Sequence, residues 1–258
     1  MQTSTGARSF RFAVAVVLSF GVLAAGCGDD PADPDEPAPR SKVVQINVTS
    51  IFDSDIIANN GTGVLDPTQV AADDSTSGVS NTILLTQGAA EELNPSDPDG
   101  LPNDGFFPAD TLHPDVRLAY RNDNDGPNAR RVFDNGDSFM FDVPSDRYEE
   151  LHMFMVSGQG STEFIASLVY ADGTDDEPAI RVPDWFSTIT GPGYALIDDM
   201  DRVRRDFVYD DRNAFAVFGI RFDPDPTRTL ESVKVTRTAN NSISSVLSFL
   251  GVTAVRSD

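Results

Sequence analysis

The chain has 258 residues, with 41 Asp and Glu against 19 Lys and Arg, for a formal charge of −22. An acidic coat of that size repels phosphate backbones and anionic headgroups, so nucleic acid is excluded as an expected partner. One cysteine rules out an internal disulfide framework, and two histidines leave little scope for imidazole chemistry.

In chain order, residues 1–26 read as a signal peptide: Arg8 and Arg11 give a basic start, and Phe12 to Ala25 an apolar stretch. The stretch is shorter than the roughly 18 apolar residues that a membrane-spanning helix needs. It closes on Leu23-Ala24-Ala25-Gly26-Cys27, which resembles the lipobox of bacterial lipoproteins, with Ala24 standing where Leu is common. The resemblance implies that Cys27 carries a diacylglycerol and anchors the chain to a membrane of the bacterial envelope, the outer membrane or cell surface rather than the inner membrane. Two or three acyl chains hold firmly where one is reversible.

Residues 27–41 hold the lipidated cysteine and an acidic, Pro-rich linker (GDDPADPDEPAPR over 28–40) without a large apolar side chain. Such a segment has nothing to bury, and its prolines and like charges keep it extended. It is expected to be a spacer.

Residues 42–258 read as one all-β domain, a sandwich or jelly roll. Phe139, Phe141 and Val143 alternate with polar neighbours, as do Phe164, Ala166, Leu168 and Tyr170, and then Val233 and Val235. Three runs are apolar on both faces and suit central strands: Leu151 to Val156, Ala214 to Phe222 and Val246 to Val255. Turn residues separate them at Asp134 to Asp137, Ala171 to Thr174 and Asp223 to Pro226. Beyond a helical turn around Ala89 to Leu93, no amphipathic helix is evident. Two stretches, 59–81 and 86–114, are rich in Asp, Asn, Gly, Ser and Pro and read as long loops, which at that length are usually functional or disordered.

Several segments taken in order carry a family resemblance. They are Phe52-Asp53-Ser54-Asp55-Ile56, then Asp104-Gly105-Phe106-Phe107-Pro108-Ala109, Asp123-Asn124-Asp125-Gly126-Pro127-Asn128, Tyr170-Ala171-Asp172-Gly173-Thr174, Pro183-Asp184-Trp185 and Phe222-Asp223-Pro224 before two closing strands. This series resembles the galactose-binding-like β-sandwich modules attached to bacterial glycoside hydrolases, over most of Lys42 to Val255 and best from Asp123 to Trp185. It departs from them at Ser54 and Ile56, which flank Asp55, and in the some fifty residues before Asp104. The resemblance implies a non-catalytic module that binds carbohydrate.

Trp185 is the expected sugar platform, because indole packs against the C–H face of a pyranose, with Tyr120, Arg121 and Asp184 as hydroxyl partners. Asp53, Asp55, Asp104, Asp123 and Asp125 supply the oxygen density that a structural calcium ion needs, although the same residues are ordinary turn formers. No nucleophile elbow, zinc helix or phosphate loop occurs. His113 lies in a Pro-rich loop, and His152 reads as a satisfied core residue. The expected function is therefore a lipid-anchored, non-enzymatic envelope protein that binds glycan. The alternatives are a structural or protein-interaction module with envelope protein partners, and a glycoside hydrolase with an unrecognised carboxylate pair.

Overall fold

In the computed structural model, residues 42–59, 70, 72, 82–120, 126–187, 193–204, 208–240 and 245–258 are described. Cys27, the linker, most of the 59–81 stretch and Arg121, Asp123 and Asp125 lie outside them. Ser41–Asp258 forms one compact unit. No helix among the described residues is long and apolar enough to cross a membrane.

The domain is all-β. Its first part holds β1 (Val43–Ile46), a 3-10 turn (Thr49–Ile51), β2 (Ile57–Ala58), β3 (Thr82–Leu85), α1 (Gln87–Leu93), β4 (Phe106–Phe107), β5 (Val116–Arg117) and β6 (Arg130–Val132). Longer strands follow: β7 (Ser138–Asp146), β8 (Tyr148–Gly158), β9 (Thr162–Tyr170), β10 (Gly173–Asp176) and β11 (Ile180–Val182). The last four are β12 (Gly193–Arg204), β13 (Tyr209–Phe222), β14 (Leu230–Asn240) and β15 (Val246–Arg256).

Two sheets make the sandwich. The larger runs β1-β15-β8-β13-β12-β3-β2, with β6 also on β15, and the smaller runs β10-β9-β14-β7, with β11 on β9. Between them sits a core built from the alternating residues of the smaller sheet, among them Phe141, Phe164, Leu168 and Val235. It meets Met153, Met155, Phe218 and Ile220 of the larger sheet. The period-2 pattern of β7, β9 and β14 is thus the inner face of a sheet whose other face meets solvent.

The larger sheet is buried on both faces. Its second face carries Phe154, Val156, Phe215, Val217 and Leu250, and these pack beneath Leu101, Phe107, Val116, Leu118 and Tyr120 from the 94–120 region. That covering layer explains why β8, β13 and β15 read as continuous apolar runs. In β15 the register slips between Phe249 and Gly251, so Leu250 turns to the cover while Phe249 and Val252 face the sandwich core. Cover and sheet approach closely there, and a Cβ on Gly251 would stand 2.9 Å from Leu118 Cδ2.

The expectation of a long loop over 86–114 is therefore corrected. Thr86 caps α1 by accepting from the Ala89 N–H, Ala89 and Ala90 are buried, and the β4–β5 ribbon pins the following chain. The polar composition hid a few irregularly spaced apolar anchors. Leu101 and Val116 are fully buried, so the segment is a wall of the molecule.

Candidate functional site

β1 runs along the edge of the larger sheet, and the Gln45 side chain extends its pairing to the cover. Gln45 Nε2 donates to the Asp115 carbonyl at 2.6 Å, while its Oε1 accepts from the Arg117 N–H at 3.0 Å and from Thr253 Oγ1 at 2.8 Å. An amide here does the work of a peptide unit and fixes β5 against β1 and β15.

Beside this weld opens a cleft of about 350 Å³, between Gln45–Thr49 on one side and Asp104 with Arg117–Tyr120 on the other. Its apolar floor comes from Ile46, Leu118 and Tyr120. The polar rim is pre-set. Asn47 Oδ1 accepts from the Thr49 N–H and hydroxyl at 3.1 and 2.8 Å, and the Asn47 residue is exposed. Arg117 lies over the Phe106 ring at 5.0 Å and donates to the Asp104 carbonyl at 3.2 Å, with Asp104 Oδ2 at 3.7 Å. More than half of the Arg117 and Asp104 side-chain surface stays exposed, so both keep hydrogen-bonding capacity for a ligand. Tyr120 is buried, donates to the Pro102 carbonyl at 2.8 Å, and is pushed by that burial well above the usual phenol range. It lines the cleft beside Leu118.

The other expected residues sit elsewhere. Trp185 is 2% exposed, 4.9 Å from the Phe215 ring and 5.7 Å from the Arg202 guanidinium. An enclosed indole offers no face to a sugar, so the stacking role expected of it is corrected to core packing. Asp184 beside it accepts from the Gly160 and Phe186 N–H groups and ties the loop after β8 to the end of β11. The exposed ring is the neighbouring Phe186.

The carboxylates expected at a calcium ion are also dispersed. Asp53 pairs with Arg130 at 2.5 Å and accepts from the Arg131 N–H. Asp55 is buried and accepts from Asn128 Nδ2 at 2.6 Å, while Asn128 Oδ1 takes the Ile56 N–H at 2.9 Å. These bonds clasp the segment after the 3-10 turn to the start of β6. Asp104 belongs to the cleft. Among the described residues no three His, Cys, Asp or Glu side chains converge on a common point suited to a metal, so a calcium site uniting Asp53, Asp55 and Asp104 is corrected to two structural clasps and a cleft rim. Asp123 and Asp125 lie outside the described residues.

A second polar assembly lies where the Ala109–Pro114 turn of the cover meets the larger sheet, bordering a cavity of about 380 Å³. His152 on β8 is fully buried. Its Nε2 lies 2.9 Å from Glu150 Oε2 and its Nδ1 2.8 Å from the Tyr194 hydroxyl on β12. A carboxylate only accepts, so Nε2 carries the hydrogen and Nδ1 accepts from Tyr194. Burial pulls His152 below the ordinary imidazole range against the opposing pull of Glu150. Arg221 on β13 reaches the other Glu150 oxygen at 3.1 Å.

Tyr194 lies across Gly219, its partner on β13; a Cβ there would stand 2.3 Å from the ring. On the cover side His113, 7% exposed, stacks on Tyr194 at 5.6 Å and 19°. Its Nδ1 is 2.8 Å from the Pro114 carbonyl and its Nε2 3.7 Å from Asp110.

The sequence reading singled out Asp104 and Tyr120 but not Gln45, Asn47, Thr49 or Arg117, nor the joining of the two histidines by Tyr194. One signal was present: Glu150 and His152 are two apart on a strand and so share a face. Their partners come from forty or more residues away, and only pairing brings them in.

Comparison of the chain with models of known protein families and with curated proteins returns no match.

Proposed function

We propose that this protein is a lipid-anchored, non-catalytic β-sandwich of the bacterial envelope, at the outer membrane or cell surface, and that its cleft beside β1 binds a neutral polyhydroxylated ligand, the end of a glycan. The observation that carries the reading is the arrangement of Asn47, Thr49, Asp104 and Arg117 around an Ile46, Leu118 and Tyr120 floor. Sugar sites combine an apolar patch for C–H groups with a few fixed donors and acceptors for hydroxyls. The rim here is held by its own hydrogen bonds before any ligand arrives, which lowers the ordering cost of binding. An acidic surface disfavours anionic saccharides, so the ligand is uncharged.

The galactose-binding-like resemblance supports the ligand class, and the Leu23 to Cys27 segment supports the anchor. The ligand site moves from Trp185 to the cleft.

A glycan array probed with the full chain in detergent tests the proposal. Binding to neutral saccharides that Arg117→Ala and Asp104→Ala weaken is the expected result. Binding to none, with an envelope protein recovered in a pull-down, would replace it with the interaction-module reading. Incorporation of labelled palmitate that Cys27→Ala prevents tests the anchor.

A further inference from the structure

The cover meets β1 at both ends, and each meeting leaves an opening. The cleft of about 350 Å³ lies toward the end of the strand, between Gln45–Thr49 and Arg117–Tyr120. The cavity of about 380 Å³ lies at its start, between Lys42 and Val43 on one side and the Ala109–Pro114 turn on the other. Strand side chains alternate, so Val43 shares with Gln45 the face beneath the cover, while Ile46 turns to the sandwich core. Val43 to Asn47 spans about 13 Å of extended chain. The surface between the two openings is polar and open to solvent: Gln45, Asp115 and Arg117 are exposed and are joined by the Gln45 amide.

The two openings have the same kind of lining. In the cleft, Arg117 stands beside Asp104 above an apolar floor. In the cavity, Arg221 Nη1 lies 3.1 Å from Glu150 Oε1, beside Val43, Leu112 and Val255. Leu112 is 52% exposed, and the Arg221 side chain keeps 46% of its surface open. An apolar contact and guanidinium N–H groups are both available there.

The Glu150 carboxylate is fixed from behind. His152, fully buried, donates from Nε2 to Glu150 Oε2 at 2.9 Å, and the Tyr194 hydroxyl holds the other ring nitrogen at 2.8 Å. On the facing wall Asp110 Oδ1 accepts from the Leu112 and His113 N–H groups at 2.6 and 3.0 Å and sets the turn. Both walls are ordered before a ligand arrives, which lowers the cost of binding. Lys42 and Arg221 border the cavity together with Asp110 and Glu150, so its charge is balanced within an acidic chain and suits an uncharged ligand.

We propose that this cavity is a second saccharide subsite, and that the ligand is a neutral oligosaccharide lying along β1, with its end in the cleft and a later unit in the cavity. Glu150 accepts from the hydroxyls of that unit and Arg221 donates to them, while Leu112 and Val255 pack against its C–H face. The inference rests on the glycan reading of the cleft and adds to it the length of chain that is recognised. A ligand held at two points binds more tightly than at one, because the second contact forms within a complex already made.

An array of neutral glucans, galactans, mannans and xylans tests the subsite, each printed as a ladder of one to six units and probed over a concentration series with the full chain in a sugar-free detergent. In the parent, members long enough to reach the cavity should bind about tenfold or more tighter than the mono- and disaccharide. Arg221→Ala and Leu112→Asp, on opposite walls, should each bring the long members down to the level of the short ones. Both residues are exposed, and Leu112→Asp leaves Glu150 and its partners untouched, so it reads the subsite even if Arg221→Ala disturbs that carboxylate. Arg117→Ala, in the cleft, should weaken every member of the ladder. A ladder that is flat from the monosaccharide upward, or a length dependence that survives both cavity substitutions, overturns the second subsite and leaves the cleft reading standing. Binding to no member of any ladder overturns both.

Discussion

Replacing Trp185 by alanine separates a buried indole from a ligand platform, because the two roles predict opposite outcomes. The ring is 2% exposed and rests on Phe215 at 4.9 Å, with Arg202 over both rings. The backbone bonds at Trp185, from its N–H to the Ser157 carbonyl and from the Ala216 N–H to its own carbonyl, survive the change. The loss is therefore side-chain packing. Burying an aromatic of this size removes about 150–250 Å² from water, worth about 4–6 kcal/mol at 25 cal/mol per Å². Measured Trp→Ala substitutions in cores cost about 3–5 kcal/mol. For a domain of this length each kcal/mol lowers the melting temperature by about 2–4 °C, so a drop on the order of 10 °C is expected.

Far-UV circular dichroism is the assay, since the substitution removes the only tryptophan and with it the fluorescence probe. In the unmutated chain that one indole reports on itself, with blue-shifted emission and weak quenching by iodide. A melting temperature within 2 °C of the parent, together with lost saccharide binding, would refute the packing assignment and return Trp185 to the ligand site.

Four further outcomes follow from the geometry. Gly219→Ala drives a Cβ into the Tyr194 ring and should cost about 1–3 kcal/mol in urea unfolding, and should cost less when made in a Tyr194→Ala background. Arg117→Ala should leave stability within about 0.5 kcal/mol, as an exposed site does. The same change should weaken saccharide binding roughly tenfold or more in titration calorimetry, the scale of a hydrogen bond to a charged group. His152 sits below its ordinary range in the folded protein through burial, so it supports stability above pH 6.5 and withdraws that support as pH falls; urea midpoints from pH 7.5 to 5 should decline more steeply in the parent than in His152→Gln. Arg237 is fully buried and donates to the Val132 and Phe133 carbonyls and to Ser245. Its replacement by alanine strands buried acceptors at about 1–3 kcal/mol each and should lower the melting temperature far more than Arg147→Ala at the surface.

The strands that alternate were legible because a half-exposed sheet writes its burial into every second residue: β7, β9 and β14 stand where the pattern put them. The continuous apolar runs marked β8, β13 and β15 as central, which they are. β12 was not legible. Register shifts at three places break its alternation, and Asp198 and Asp199 interrupt its apolar set. The cover was misread for a related reason. Its anchors Leu101, Phe107, Val116 and Leu118 are spaced irregularly among polar residues and carry no period.

Local chemistry, then, was enough to determine the all-β class, the sandwich core and the turns, because propensity, alternation and turn residues act over a few positions. Which polar groups meet was decided by the tertiary structure alone. The cleft joins Asn47 to Arg117, Tyr194 joins His113 to His152, and Trp185 packs on Phe215 from thirty residues on. These contacts arise from strand order and from a cover folded back over a sheet, and no local pattern encodes a pairing between residues so far apart in the chain.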